Sequence, residues 1–270
     1  MTAHSSEAIT LTVADDIAQL TLNRPATLNA LNEAMFREIP MAIDEAAVAG
    51  ARALLITGAG RGFCSGADLV GRGFAPTTTE AQRETVNRIG FEKVISLVRG
   101  INEAPMPVVC AINGVAAGGG VGIALAGDVI LMATSARFVL TFVPKLGLVP
   151  DVGATWYLTR MAGRARTMAA SLLGDAISSQ DAERWGLVAR VIDDAQLHAE
   201  AMAICRRLAD GPQTAVAGTR RLVDAAPEMP IGAHILLERD LQSQLIGSAE
   251  HLEGIAAFRE KRPARFGQPR

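Results

Sequence analysis

Residues 108–128 read VVCAINGVAAGGGVGIALAGD, and two readings compete for them. From Val108 to Ala126 the stretch is uncharged and close to the ~20 residues that cross a membrane as a helix. Asn113, the glycines at 118–120 and the β-branched residues at the start argue instead for a buried strand that turns through glycine into a buried helix. Such a unit belongs at the centre of an α/β domain.

The flanking sequence supports that reading. Ala53–Thr57 (ALLIT) is another buried strand, followed by GAGRGFCSGADLV, a glycine-rich turn in which Ser65 and Asp68 stand three apart, as helix-start residues do. Ala8–Leu22 holds two β-type runs around Ala14-Asp15-Asp16 and reads as a hairpin. Asn32–Ala49 has apolar residues at helical spacing, with Pro40 expected to bend or interrupt the helix. Residues 71–79 lack periodicity and read as a mobile loop, after which Thr77 and Glu80 can cap a helix running to about Asn102. Further strands are expected at 128–132 and 137–142, helix from Ala154, a short extended piece at 186–193 and helix alone beyond Gln196. The expected division is an α/β core over residues 1–195 and a helical region over 196–270.

Composition removes several function classes. The 270 residues are 49% hydrophobic with a net charge of −2 and no long single-sign run, which gives no nucleic-acid footprint. The C-terminal cluster Arg259, Lys261, Arg262 and Arg265 either touches a phosphate or is a solvated tail. Cys64, Cys110 and Cys205 make no CxxC pair, and with an N-terminus lacking a basic and apolar leader they point to a reducing, cytoplasmic setting. His4, His198, His234 and His251 make no metal-ligand spacing, so no metal is expected. Gly118-Gly119-Gly120 lacks the next glycine of a dinucleotide fingerprint, Ile123 standing there.

Gly62-Phe63-Cys64-Ser65-Gly66 has the glycine spacing of a nucleophile elbow and would make Cys64 an α/β-hydrolase nucleophile, with Asp151 and His198 or His234 as partners. Neither histidine sits in a post-strand turn pattern. Two other turns, Cys64–Asp68 and Asn113–Gly120, each follow a strand and offer backbone N–H groups. Converging, they would form an oxyanion hole; apart, they are tight strand–helix packing. Asp151 is a lone acid in LTFVPKLGLVPDVGATWYL (140–158). Phe142, Val143, Val149, Val152 and Trp156 would desolvate it, unless it is only a cap for the helix that follows.

Together these segments resemble the enoyl-CoA hydratase/isomerase (crotonase) family over essentially the whole chain. The matching pieces are NRPATLNALN (23–32), GRGFCSGADL (60–69), INGVAAGGGVGIALAGD (112–128), KLGLVPDVGATWYLTRMAGRARTM (145–168) and FREKRPARF (258–266). The resemblance implies a ClpP/crotonase-like ββα spiral core with a helical C-terminal trimerisation region, an acyl-CoA thioester substrate, and a homotrimer or dimer of trimers. It implies no separate cofactor, coenzyme A being part of the substrate, and no nucleic-acid or membrane partner. By the same resemblance Ala67 and Gly119 supply oxyanion-hole N–H groups. Arg24, Ala26, Leu28, Ala30, Ser65, Gly66 and Asp68 lie near the coenzyme A adenine and phosphates, and Phe258 and Lys261 close that site.

The family's hydratases use two glutamates. Here Gly122 occupies the first position, and the second falls on Phe142 or Val143. Without either carboxylate, activating water and protonating carbon lose their acid and base. Asp151 stands where the family's isomerases carry an acid, and LGLVPDVGATW most resembles isomerases acting on aryl-epoxide or 3-enoyl thioesters. The expectation is therefore an isomerase with Asp151 as base. A hydratase, a non-catalytic acyl-CoA binder and the Cys64 hydrolase are the alternatives.

Overall fold

The computed structural model describes residues 2–69 and 79–267. The expected loop at 71–79, with Thr77 as a cap, lies outside them except for Thr79. Strands β1 (Thr2–Ser5), β2 (Ile9–Ala14) and β3 (Ile17–Leu22) open the chain as an antiparallel set. Ala14 pairs with Ile17, so Asp15-Asp16 is a two-residue turn, and both take positive φ (50° and 61°) as a hairpin twisted with its strands requires. Helix α1 (Glu33–Val48) follows, capped by Asn32 Oδ1 accepting from the Met35 N–H at 3.0 Å. Pro40 neither ends nor interrupts it; its ring packs on Gly100 of the next helix.

The middle of the chain alternates between two sheets. β4 (Ala53–Gly58) and β5 (Gly62–Cys64) precede α2 (Glu80–Asn102). The uncharged stretch becomes β6 (Val108–Ile112), β7 (Val115–Ala117) and α3 (Gly119–Leu125). β8 (Val129–Ala133) and β9 (Arg137–Val139) come next. After a π-helical turn at Phe142–Leu146 come α4 (Ala154–Ala162), α5 (Arg164–Leu173), β10 (Ile177–Ser178), α6 (Ser179–Arg184) and β11 (Arg190–Ile192). The larger sheet has the order β1-β2-β3-β4-β6-β8-β11, parallel from β3 onward, and the smaller has β10-β9-β7-β5. Each strand of the large sheet from β4 to β8 is thus followed by a short partner in the small one. Every residue of β6 and α3 is buried, which explains why this stretch carries no charge. No helix among the described residues is long and apolar enough to cross a membrane.

Beyond β11 all is helix: α7 (Leu197–Ala209), α8 (Gln213–Ala225), α9 (Ile231–Leu245) and α10 (Ala249–Glu260). α7 buries Ala201, Cys205 and Ala209 against the large sheet, so core packing runs past residue 195 to Ala209. α8 and α9 bury no residue.

α8 is tied to the core by Arg220, which donates to Asn102 O (2.9 Å), Ala104 O and Met106 O (3.2 Å) and pairs with Asp128 (2.9 Å). Asp128 in turn accepts from the Val108 N–H at 2.7 Å. Arg220→Ala removes a charged partner from three carbonyls and a largely buried carboxylate, and should lower the unfolding free energy by about 2–3 kcal/mol in urea denaturation.

Candidate active site

The loop after β3 and the loop after β5 are zipped together. Ser65 N–H donates to Leu28 O (2.9 Å), Leu31 N–H to Gly66 O (2.7 Å) and Asp68 N–H to Leu31 O (2.9 Å). Asn29, fully buried, donates to Ala59 O (3.0 Å) and Gly62 O (2.8 Å) and accepts from the Arg24 N–H (2.8 Å). Arg24 reaches across to Asp68 (2.8 Å) and Ala30 O (2.6 Å). The residues expected to contact coenzyme A in these two segments, Arg24, Ala26, Leu28, Ala30, Ser65, Gly66 and Asp68, therefore share one place. Ser65 and Asp68 do not start a helix. Ser65 Oγ donates to Thr27 O (2.8 Å), Asp68 holds Arg24, and the next helix among the described residues is Glu80–Asn102.

This zipper also sets the direction of the Ala67 amide. Leu31 bridges Ala67 in parallel register through Gly66 and Asp68, so the N–H and C=O of Ala67 itself point to the opposite side. The second turn meets the first at Gly66, whose φ is +87°. A methyl there would lie 2.8 Å from Ala117 O, a separation no side chain tolerates. Gly119 begins α3, where a helix has no internal acceptor for its N–H, and Gly118 brings no side-chain cap.

Asp151 stands over this helix start. A methyl on Gly119 would lie 3.5 Å from Asp151 Oδ1, 3.3 Å from Leu31 Cδ1 and 2.8 Å from Val152 Cγ2. The carboxylate oxygen is thus at most about 6 Å from the Gly119 nitrogen. It does not cap α4, whose N-cap is Gly153 with no side-chain hydrogen bond. Burial holds the Asp151 carboxyl above the ordinary carboxylate range, opposed by a hydrogen bond from its own amide.

The neighbours that desolvate it differ from expectation. Phe142 and Val152 are buried, and the ring of Phe142 reaches Gly118, 3.7 Å from where a methyl would stand. Val149 and Trp156, however, are 78% and 47% exposed and enclose nothing in a single protomer. The bare Gly119 face of α3 lies beside the carboxylate instead. Residue 152 carries a signal that pattern reading misses. Val152 has φ +50°, a conformation that costs a β-branched residue about 1–3 kcal/mol and tends to occur at functional sites.

Other expected residues lie elsewhere. Phe258 is 84% exposed at the end of α10. It borders an apolar cavity of about 510 Å³ with Phe266, Leu245 and Pro212. Arg52, just before β4, holds Phe266 O at 3.2 Å, so this cavity lies at the opposite end of β4 from the glycine turns. Lys261, C-cap of α10 with φ +56°, follows Phe258. Cys64 is fully buried and its thiol is pushed up to about 12, His198 contacts Gln19 at 3.1 Å, and His234 faces Glu238 at 3.5 Å. No hydrolase triad exists among these groups. Nor do the described residues contain a cluster of three or more His, Cys, Asp or Glu that could hold a metal.

Paired sheets, glycine turns meeting over a short buried helix, and a helical tail define a crotonase-type α/β architecture. The profile of the Enoyl-CoA hydratase/isomerase family matches residues 12–269, and the chain belongs to that family of enzymes. It is 40% identical over 252 residues to the 1,2-epoxyphenylacetyl-CoA isomerase of Escherichia coli (strain K12), covering 93% of this chain and 94% of the relative. It is also 40% identical over 262 residues to a protein of Rhodobacter capsulatus named "probable enoyl-CoA hydratase", covering 97% and 98%. Among solved structures, the enoyl-CoA hydratase of Bacillus anthracis superposes with a TM-score of 0.87 at 29% identity, covering 96% of this chain and 98% of that one.

All three cysteines are free and buried. A thiol-specific disulfide reagent at neutral pH should leave the native protein unmodified and titrate three thiols only after denaturation, with no esterase activity at stake.

Proposed function

We propose that this protein is an acyl-CoA isomerase in which Asp151 moves a proton while two backbone amides hold the developing enolate. The observation that carries the reading is the half-buried Asp151 carboxylate beside Gly119, uncommitted to capping α4. In the proposed reaction the thioester oxygen accepts hydrogen bonds from the N–H groups of Ala67 and Gly119. Asp151 takes a proton from the carbon next to the thioester, and the electron pair left behind delocalises onto that oxygen. Each amide should lower the barrier by roughly 2.7–4 kcal/mol. The proton then returns elsewhere on the same molecule. In a 3-enoyl thioester it returns to C4, bringing the double bond into conjugation; in an aryl-epoxide thioester the same deprotonation starts ring expansion to an oxepin. Nothing is added or lost, so one acid suffices.

Coenzyme A is assigned to the zipped loops, with Arg24, Ala26, Leu28, Ala30, Ser65, Gly66 and Asp68 at its adenine and phosphates. Phe258 and Lys261 can close that site only from another copy, because their own protomer carries them at the far end of β4. A homotrimer or dimer of trimers would supply that copy. The exposed Ile231, Ile235 and Leu236 of α9 fit such an interface. Three free thiols fit a reducing, cytoplasmic compartment.

Hydration is the second reading, favoured by the name of the Rhodobacter capsulatus relative. Against it stand Gly122 and the Phe142–Val143 pair, neither of which transfers protons. Steady-state assays with a 3-enoyl-CoA, a 2-enoyl-CoA and an aryl-epoxide thioester separate the two. Asp151→Asn should lower kcat for isomerisation by at least 10²-fold with acyl-CoA affinity unchanged; retention of wild-type turnover sinks the assignment.

The pH dependence has a definite sign. The base must be ionised, so kcat should be lost as pH falls through an apparent pKa above the usual ~3.9. Because the folded pKa is raised by burial, the ionised group burdens the fold at every pH above that pKa and not below the unfolded one. Asp151→Asn should therefore melt at or above the wild-type temperature at pH 7.

A further inference from the structure

The turn that carries Asp151 rests on α3 through backbone. A methyl group at Gly122 would fall inside the Val152 carbonyl oxygen and 2.8 Å from its carbon. One helical turn earlier, Val152 Cγ2 presses on the bare face of Gly119 beside Asp151 Oδ1. Val152 itself is 3% exposed and held at φ +50°, with Gly153 at +74° behind it, and Asp151 O accepts from the Ala154 N–H at 3.0 Å to close the turn. A strained β-branched residue persists only where its surroundings over-determine it.

We propose that Gly122 and Val152 form a seat for Asp151. A backbone contact possible only over a side-chain-free helix fixes the height of the carboxylate above the Gly119 N–H, making both positioning residues for the proton transfer. The inference rests on the reading of Asp151 as the base. It has a consequence for reaction choice: any side chain at 122 displaces the 151–153 turn, so a second proton-transfer group on this face of α3 and the present pose of Asp151 exclude each other. The segment of α3 under the turn, Gly119–Gly122, has no titratable residue, and the causes of the raised Asp151 pKa are burial against its own amide hydrogen bond. Lifting the turn into water therefore has a readable effect on ionisation.

The test compares Gly122→Ala and Val152→Gly with Asp151→Asn and the wild type, using a 3-enoyl-CoA and the aryl-epoxide thioester, with thermal melts to establish folding. Gly122→Ala should lower kcat at least tenfold while KM stays within threefold, and should move the acid limb of the kcat–pH profile to lower pH. Val152→Gly keeps φ +50° accessible but removes the wedge on Gly119, and should shift both readouts in the same direction by a smaller amount. If Gly122→Ala does not fold, Val152→Gly alone decides. Folded variants with wild-type kcat and pH profile overturn the seat, as do variants that lose kcat with the acid limb unmoved. Turnover surviving in Asp151→Asn instead overturns the base reading. An inactive Asp151→Asn beside fully active seat variants overturns the seat alone.

Discussion

Backbone meeting backbone, without side chains between, is the constraint on which this site depends. Gly66 lies against the Ala117 carbonyl, and Gly122 lies under the Val152 carbonyl. Each contact brings a loop about a side-chain diameter closer than packing through Cβ atoms permits. The first sets the Ala67 turn beside the start of α3, and the second lowers the Asp151 turn onto the same helix. α3 can be this bare because it is wholly buried against β5, β6, β7 and α4 and is stabilised by packing rather than by its own poor helix-forming composition.

Electrostatics follows from that geometry. Asp151 lies beside the bare backbone of Gly119, and burial outweighs the hydrogen bond from its own amide, so the carboxyl is a stronger base than in water. The groups assigned to the opposite charge change are neutral amides fixed by the fold. Arg24 and Asp68 pair at 2.8 Å and staple the two loops together. A lone base facing oriented amides suits removal and return of one proton, whereas adding water calls for a second acid–base group.

Much of this was legible in the sequence because it depended on local pattern. The hairpin turn at Asp15-Asp16, the helical spacing after Asn32, β4 and β6, and the change from alternating elements to helix alone each leave a period or a turn in the residues themselves. The short strands β5, β7 and β10 were not legible, since two or three residues carry no period and are defined only by their partners in the small sheet. Pro40 predicts a bend or a break, yet its helix runs from Glu33 to Val48 with the proline inside it. Ser65 and Asp68 were read as a helix start by spacing, but their side chains serve a neighbouring loop more than 30 residues away. Asp151 stood out as an acid among apolar residues. Its surroundings did not, because Val149 and Trp156 are sequence neighbours turned to the surface while Gly119, which lies against it, arrives from a distant segment. Gly122 was visible as a missing carboxylate and invisible as a seat.

The central claim is that Asp151 breaks a carbon–hydrogen bond next to a thioester held by main-chain amides. Deuterium exchange at C2 of a saturated acyl-CoA in heavy water tests this most directly, because the reaction stops at proton transfer and needs no particular unsaturated substrate. The wild type should exchange at C2 alone, and Asp151→Asn should bind the thioester without exchange. Binding without exchange in the wild type, or exchange undiminished in the variant, would contradict it.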